Sequence, residues 1–250
     1  MKIKFIVLFV FFYLFALMLT LPAATLVRFI PHSAGLNMVG VSGNAWQGQA
    51  ALISYKKEVN LARVSWDFDW LALTTLQAKL NIRFNNGANA MSGKGIVKFS
   101  FWGKGVENLT LDLSASELLS SVDLPVPIEV SGDLSILIKE ALLGDPYCAT
   151  LEGVVVWKNA QISSQLGNVD LATANINLSC DNGELVAFIT QQSEQISSNI
   201  SALLKEGGLY KLTGTINAGD KLNPDIKQAL TWVGPKDSSG ATLFNFNGRL

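Results

Sequence analysis

Alternation of apolar and polar residues with period two runs through most of this chain, and it leaves few folds open. In residues 78–84 Ala78, Leu80, Ile82 and Phe84 point one way, while Lys79, Asn81 and Arg83 point the other. That spacing belongs to a strand with one buried and one wet face. Leu109, Leu111 and Leu113 repeat it with Thr110 and Asp112 opposite, and so do residues 130–138, 169–178 and 209–216. Turn signals separate these runs: Asn85-Asn-Gly87, Asp181-Asn-Gly183 and Lys205-Glu-Gly-Gly208. The fold class that follows is mainly β, an antiparallel sheet body built as a curved sheet or a sandwich, with a few short helices.

The helices have their own signals. Ser114-Ala-Ser-Glu117 is a capping box, in which each end residue serves the other's backbone N–H, and it opens a helix over 117–122. Pro224 and Gly234 bracket a second helix over 225–233, with Ile226, Leu230 and Val233 on one face. Ile196, Ile200 and Leu203 fit a helix by spacing, but the Ser and Asn content and the Gly207-Gly208 turn favour a strand over 193–203. Residues 59–68 (VNLARVSWDF) echo residues 169–178 (VDLATANINL), and Gly43, Trp46 and Ala50 align loosely with Gly153, Trp157 and Ala160. Two repeated β units would leave such a trace; chance similarity of alternating strands is the alternative.

The N-terminus breaks the alternation. No charge occurs from Phe5 to Val27, and the first 17 residues of that run are nearly all large and apolar. About 20 such residues in a helix span a bilayer's hydrocarbon core. Lys2 and Lys4 precede it, which keeps the N-terminus cytoplasmic and sends the body across. A cleaved signal peptide is the rival reading, but its apolar region is shorter and ends in a small-x-small site. Cleavage after Ala23 or Ala24 would put Leu21 or Pro22 at the third position back, a poor fit. The expected organisation is a cytoplasmic start and transmembrane anchor over 1–27, with Pro22 at the outer end of the helix, and an exported β-rich domain over 28–250. The anchor also accounts for much of the apolar fraction of 49%.

Without Lys2 and Lys4, the 19 basic residues fall to 17 against 20 acidic ones, so the body is nearly balanced. It has no basic face of the size nucleic acid requires. Cys148 and Cys180 both lie in the exported part, where an oxidising compartment favours a disulfide between them; the alternative is two buried free thiols. Two cysteines without a nearby histidine are too few for zinc.

Residues fit for catalysis are scarce. His32 is the single histidine, close to the apolar run, and a Ser–His or Cys–His pair would have to use it. Gly93-Lys-Gly95 and Gly103-Lys-Gly105 lack the following Ser or Thr and the long helix of a phosphate loop. Asp67 and Asp69 alternate with Trp66, Phe68 and Trp70 on a strand, with no neighbour that would shift a carboxylate pKa. The six tryptophans, 46, 66, 70, 102, 157 and 232, are read as core. No catalytic constellation emerges; no cofactor, metal or small-molecule substrate is expected. In Val41-Ser-Gly-Asn-Ala-Trp-Gln-Gly-Gln-Ala50 the glycines mark a bulge or close backbone approach. Gly43, Trp46 and Gly48, with Trp157 as the echo of Trp46, are therefore structural positions rather than ligand contacts.

A family resemblance rests on the combination of marks. The basic start and apolar span end in Leu21-Pro-Ala23, followed by Gly43-Asn-Ala-Trp-Gln-Gly-Gln-Ala50, Leu61-Ala-Arg-Val-Ser-Trp66, Leu151-Glu-Gly-Val-Val-Val-Trp157 with Ala160, and Asp181-Asn-Gly-Glu-Leu-Val-Ala187. Leu230-Thr-Trp-Val-Gly234, Gly240 and Asn247-Gly-Arg-Leu250 complete the set. Together they resemble protein N of the bacterial type II secretion system over nearly the whole chain; Asn44-Ala45 departs from the pair expected before the tryptophan. The resemblance implies a single-pass inner-membrane protein of a Gram-negative cell with a periplasmic body. It also implies a non-enzymatic role in exporting folded proteins, with other inner-membrane platform components as partners. An alternative of a different class is an inner-membrane-anchored β-groove that binds or transfers lipid or another amphiphile. An apolar trough open along its length would favour that alternative; a closed, filled core with an exposed apolar or edge-strand patch would favour the first.

Overall fold

The computed structural model describes residues 2–29, 31, 33, 35–56, 59–88, 90–101, 103–119 and 128–249. His32, Trp102 and the last three positions of the helix expected over 117–122 lie outside these residues. The chain forms two compact units, Met1–Ala88 and Asn89–Leu250. Every strand pairing described within them is antiparallel.

The first unit begins with α1 (Lys2–Leu19) and α2 (Ala23–Val27). The uncharged run therefore does not make one long helix. Proline lacks the N–H that would continue the ladder, and it pushes the residue before it out of the helical region. Pro22 is extended, at φ −65° and ψ 132°, and α1 stops three residues earlier, at Leu19. Among the described residues no helix is long and apolar enough to cross a membrane. The strands are β1 (Leu36–Val39), β2 (Ser42–Gly43), β3 (Gln47–Tyr55), β4 (Val59–Asp69) and β5 (Gln77–Asn85). β3 pairs with β4 and β4 with β5, while β1 and β2 share the outer edge of β3.

The second unit is a meander of β6 (Ser92–Ser100), β7 (Gly103–Ser114), β8 (Glu129–Leu143), β9 (Cys148–Ser164), β10 (Gly167–Asp181), β11 (Glu184–Gln192), β12 (Ile196–Lys205), β13 (Leu209–Ala218) and β14 (Thr242–Arg249). Each strand pairs with the next in sequence. Register converts the alternation into two faces. One cross-strand row from β7 to β14 reads Leu111, Ile136, Val155, Ile176, Ile189, Ile200, Gly214 and Phe244. The adjacent row, on the opposite face, reads Thr110, Leu137, Val154, Asn177, Phe188, Ser201, Thr213 and Asn245, mostly polar with three exposed apolar residues.

The two helices of this unit follow strands that finish at the same end of the meander. α3 (Ala115–Leu119) leaves the end of β7 and packs on β8, burying Ala115 against Leu134 and Val155 with Trp157 and Ile176 alongside. Ser114 Oγ accepts from Glu117 N at 3.2 Å, one half of the expected capping box. The Glu117 carboxylate accepts from Met91 N at 3.1 Å. α4 (Pro224–Val233) is capped by Asn223, whose Oδ1 accepts from Asp225 N at 2.9 Å, and it packs on β14.

The tryptophans are not core in the sense expected. Trp46, Trp66 and Trp157 are half-buried, Trp70 is exposed, and Trp232 on α4 is 82% exposed. Among the described residues no large side chain is completely buried. The most exposed of them, Trp232, is on a helix, and Trp70 lies just past the end of β4.

Candidate functional site

The segment 41–50 makes a bend between strands. Gly43 has φ +88°, in the left-handed region that glycine tolerates. Asn44 Oδ1 accepts from Trp46 N at 3.0 Å and from Gln47 N at 2.7 Å, which fixes the turn into β3. Gly48 lies opposite Trp66 in register. A Cβ there would meet Trp66 Cζ2 at 2.5 Å and Ser42 O at 2.6 Å. The close approach that this glycine permits is thus to the chain's own tryptophan and to β2. Gly48→Ala is expected to destabilise the first unit by about 1–3 kcal/mol through overpacking. The check is urea unfolding of the detergent-solubilised chain followed by tryptophan fluorescence. An unchanged midpoint would remove the packing role.

The other chemical candidates also have structural positions. Asp69 Oδ1 accepts from Leu71 N at 2.9 Å and Ala72 N at 3.3 Å, capping the 3₁₀ turn Leu71–Thr75. Asp67 is exposed between Gln47 and Asn81 in register, on the rim of an open groove of about 590 Å³ that Gln49 and Arg83 also line. Gly93-Lys-Gly95 lies inside β6 and Gly103-Lys-Gly105 opens β7; a Cβ on Gly95 would meet Leu109 Cδ1 at 2.9 Å. Among the described residues no three His, Cys, Asp or Glu side chains are grouped to hold a metal ion.

In the second unit, Cys148 and Cys180 are joined by a disulfide, with Cα atoms 6.1 Å apart. It ties the start of β9 to the end of β10, where the backbone N–H groups of Tyr147 and Cys148 donate to Gly183 O at 3.2 and 3.4 Å. The Tyr147 hydroxyl donates to Lys205 O and accepts from Gly208 N, both at 3.0 Å. Arg249 Nε donates to Gly207 O at 2.9 Å. One end of the meander is thus held by covalent and polar links among its turns. Near it the apolar face is open: Leu151, Leu178, Leu185, Leu204, Tyr210 and Leu212 border a concavity of about 450 Å³. The disulfide is the pairing expected from the sequence; the concavity and the hydrogen bonds around the bridge were not legible there, because they join residues far apart along the chain. Trp157, read as the echo of Trp46, lies in the apolar cluster under α3 and donates from Nε1 to Ser131 O at 3.0 Å.

The chain matches the family model of type II secretion system protein N over residues 34–245. Among curated relatives, the type II secretion system protein N of Vibrio cholerae serotype O1 is 29% identical over 231 residues, covering 92% of this chain and 91% of the relative. That of Aeromonas hydrophila is 29% identical over 252 residues, covering 100% of this chain and 99% of the relative. That of Pectobacterium carotovorum is 28% identical over 233 residues, covering 91% and 89%. No solved structure matches the chain. The chain, matched from residue 34 to residue 245, belongs to the type II secretion system protein N family.

Proposed function

We propose that the chain is a non-enzymatic, single-pass inner-membrane component of the type II secretion system. In this reading residues 1–27 are the anchor and residues 28–250 form the periplasmic body, which works in the export of folded proteins across the outer membrane. The observation that carries it is the family match over residues 34–245. The anchor draws on the uncharged run from Phe5 to Val27 preceded by Lys2 and Lys4, and on α1, whose large side chains from Phe5 to Leu14 lie exposed. Apolar residues surround the α1 axis, so one side cannot be reserved for water. The partners are other inner-membrane platform components of the same apparatus. A second reading, a groove for lipid or another amphiphile, draws on the open concavity along β9–β13; the family favours the first.

Deleting the gene separates the two readings. Secretion substrates are expected to fall outside the cell by several-fold and to accumulate in the periplasm, with recovery when the full chain is supplied. Normal secretion with altered envelope permeability would sink the secretion role and favour the groove.

A further inference from the structure

The first unit carries an apolar surface that its own fold leaves open. The β4–β5 connection, Trp70-Leu-Ala-Leu-Thr-Thr-Leu76, has no charged residue. Within it Leu71 is 79% exposed, Leu76 77%, Leu73 44% and Trp70 43%. Such exposure is not loose packing, because the segment is held from beneath. Trp46, Phe68 and Trp70 form a ring cluster with centroids 4.7–5.2 Å apart. Phe68 N donates to Trp46 O at 2.8 Å, and Asp69 caps the turn. Exposed leucine side chains gain by leaving water, and this turn presents three of them beside a tryptophan.

The position of the surface names its occupant. Ala45 N, one residue before Trp46, donates to Leu21 O at 3.0 Å, and Pro22 bridges to Asn44. The backbone just before Trp46 is thus hydrogen-bonded to the residues that follow the end of α1. Tryptophan concentrates where headgroups meet acyl chains, since its ring is apolar with a polar edge. We infer that Trp46, Trp70, Leu71, Leu73 and Leu76 form a bilayer-interface contact beside the outer end of α1, with the three leucines reaching the upper acyl region. This rests on the reading of α1 as the anchor. The contact would fix the first unit against the membrane surface, so that the bend at 41–47 works as a rigid joint between helix and sheet.

The test uses the full chain in phosphatidylethanolamine–phosphatidylglycerol vesicles. Leu71→Cys and Leu76→Cys variants take an environment-sensitive thiol dye without reductant, because both native cysteines are in the disulfide. Both leucines are more than three-quarters exposed, so the exchange leaves the fold standing. The expected result is a blue-shifted emission, quenched more by lipids with a shallow spin label than by aqueous iodide. Iodide-quenched dye on a chain that resists alkaline extraction overturns the contact while sparing the anchor. Extraction by alkaline carbonate overturns the anchor and the contact with it. A dye shielded in native membranes but quenched by iodide in protein-free vesicles assigns the surface to a protein partner and overturns the lipid assignment.

Discussion

Replacing Cys148 and Cys180 together by serine is expected to lower the stability of the second unit by about 3–4 kcal/mol. The crosslink spans 32 residues of sequence; closing a loop of that length removes about this much chain entropy from the unfolded state. The native state loses contacts as well. The bridge pins the residues before β9 over the turn that follows β10, and Tyr147, next to Cys148, links that point to Lys205 and Gly208. Without it the stapled end of the meander would rest on hydrogen bonds alone. The double substitution avoids leaving a lone thiol. Urea unfolding of oxidised wild type, reduced wild type and the double variant is the measurement. With a slope of about 1–3 kcal/mol per molar, the midpoint is expected to drop by more than 1 M in both altered forms. Coincident midpoints would show that the hydrogen-bonded turns suffice.

Much of the architecture was legible because it depends on local alternation. Strand faces follow from which of residues i and i+2 are apolar, so the row Leu111, Ile136, Val155, Ile176, Ile189 and Ile200 falls into one face once neighbours pair in order. Residues 196–205 form a strand because the Gly207-Gly208 turn sends the chain back as β13. The signals failed where the outcome depended on what covers a residue. The tryptophans read as core, yet Trp70, just past β4 at the 3₁₀ turn, and Trp232, on α4, are both exposed. Pro22 was visible in sequence, but its consequence, an α1 of 18 residues followed by a second short helix, needed backbone geometry. Segment 41–50 shows both sides. A Cβ at Gly48 would meet Trp66, and one at Gly43 the backbone of Gln47 and Gly48.

The echo between residues 59–68 and 169–178 has geometric counterparts. Both strands contain a left-handed residue, Arg63 at φ 49° in β4 and, one position off the echo's alignment, Ala172 at φ 56° in β10; β7 and β9 have one as well, at Asn108 and Asn159. Beside each, an amide side chain from farther along the chain satisfies the disturbed backbone. Asn86 accepts from Ala62 N at 2.7 Å and donates to Asn60 O at 2.8 Å, while buried Gln191 donates to Leu171 O and Ile196 O, both at 2.9 Å. Val64 and Ala174, aligned by the echo, are both buried. Neither amide could be picked out in advance, because each acts on a strand at least 20 residues away.

Lys98→Met is the second large effect expected. Lys98 sits in β6 within an apolar stretch and is buried, with Nζ 2.6 Å from Glu107 Oε1 on β7 and 2.8 Å from Glu140 Oε1 on β8. Glu107 and Glu140 are register partners, and like charges directly opposite each other repel. The lysine turns that repulsion into a charge-assisted cluster across three strands. Breaking a fully buried pair costs about 3–5 kcal/mol. The Glu140 side chain keeps 44% of its surface in water, so the expected loss is about 2 kcal/mol once solvent screening is allowed for. Adding Glu107→Gln removes one of the two facing charges, and the double variant is expected to recover at least half of the loss. If Lys98→Met alone unfolds at the wild-type midpoint, the cluster contributes nothing net. The pH dependence has a definite sign. Burial alone would lower the Lys98 pKa, but hydrogen bonds and charge from Glu107 and Glu140 outweigh it and raise it above its usual 10.5. The folded state therefore holds this proton more tightly than the unfolded state does. Its contribution is complete below about pH 10.5 and drains away as pH rises through the higher folded value. Wild type is expected to lose stability in that alkaline window more steeply than Lys98→Met, and the two unfolding curves should converge there.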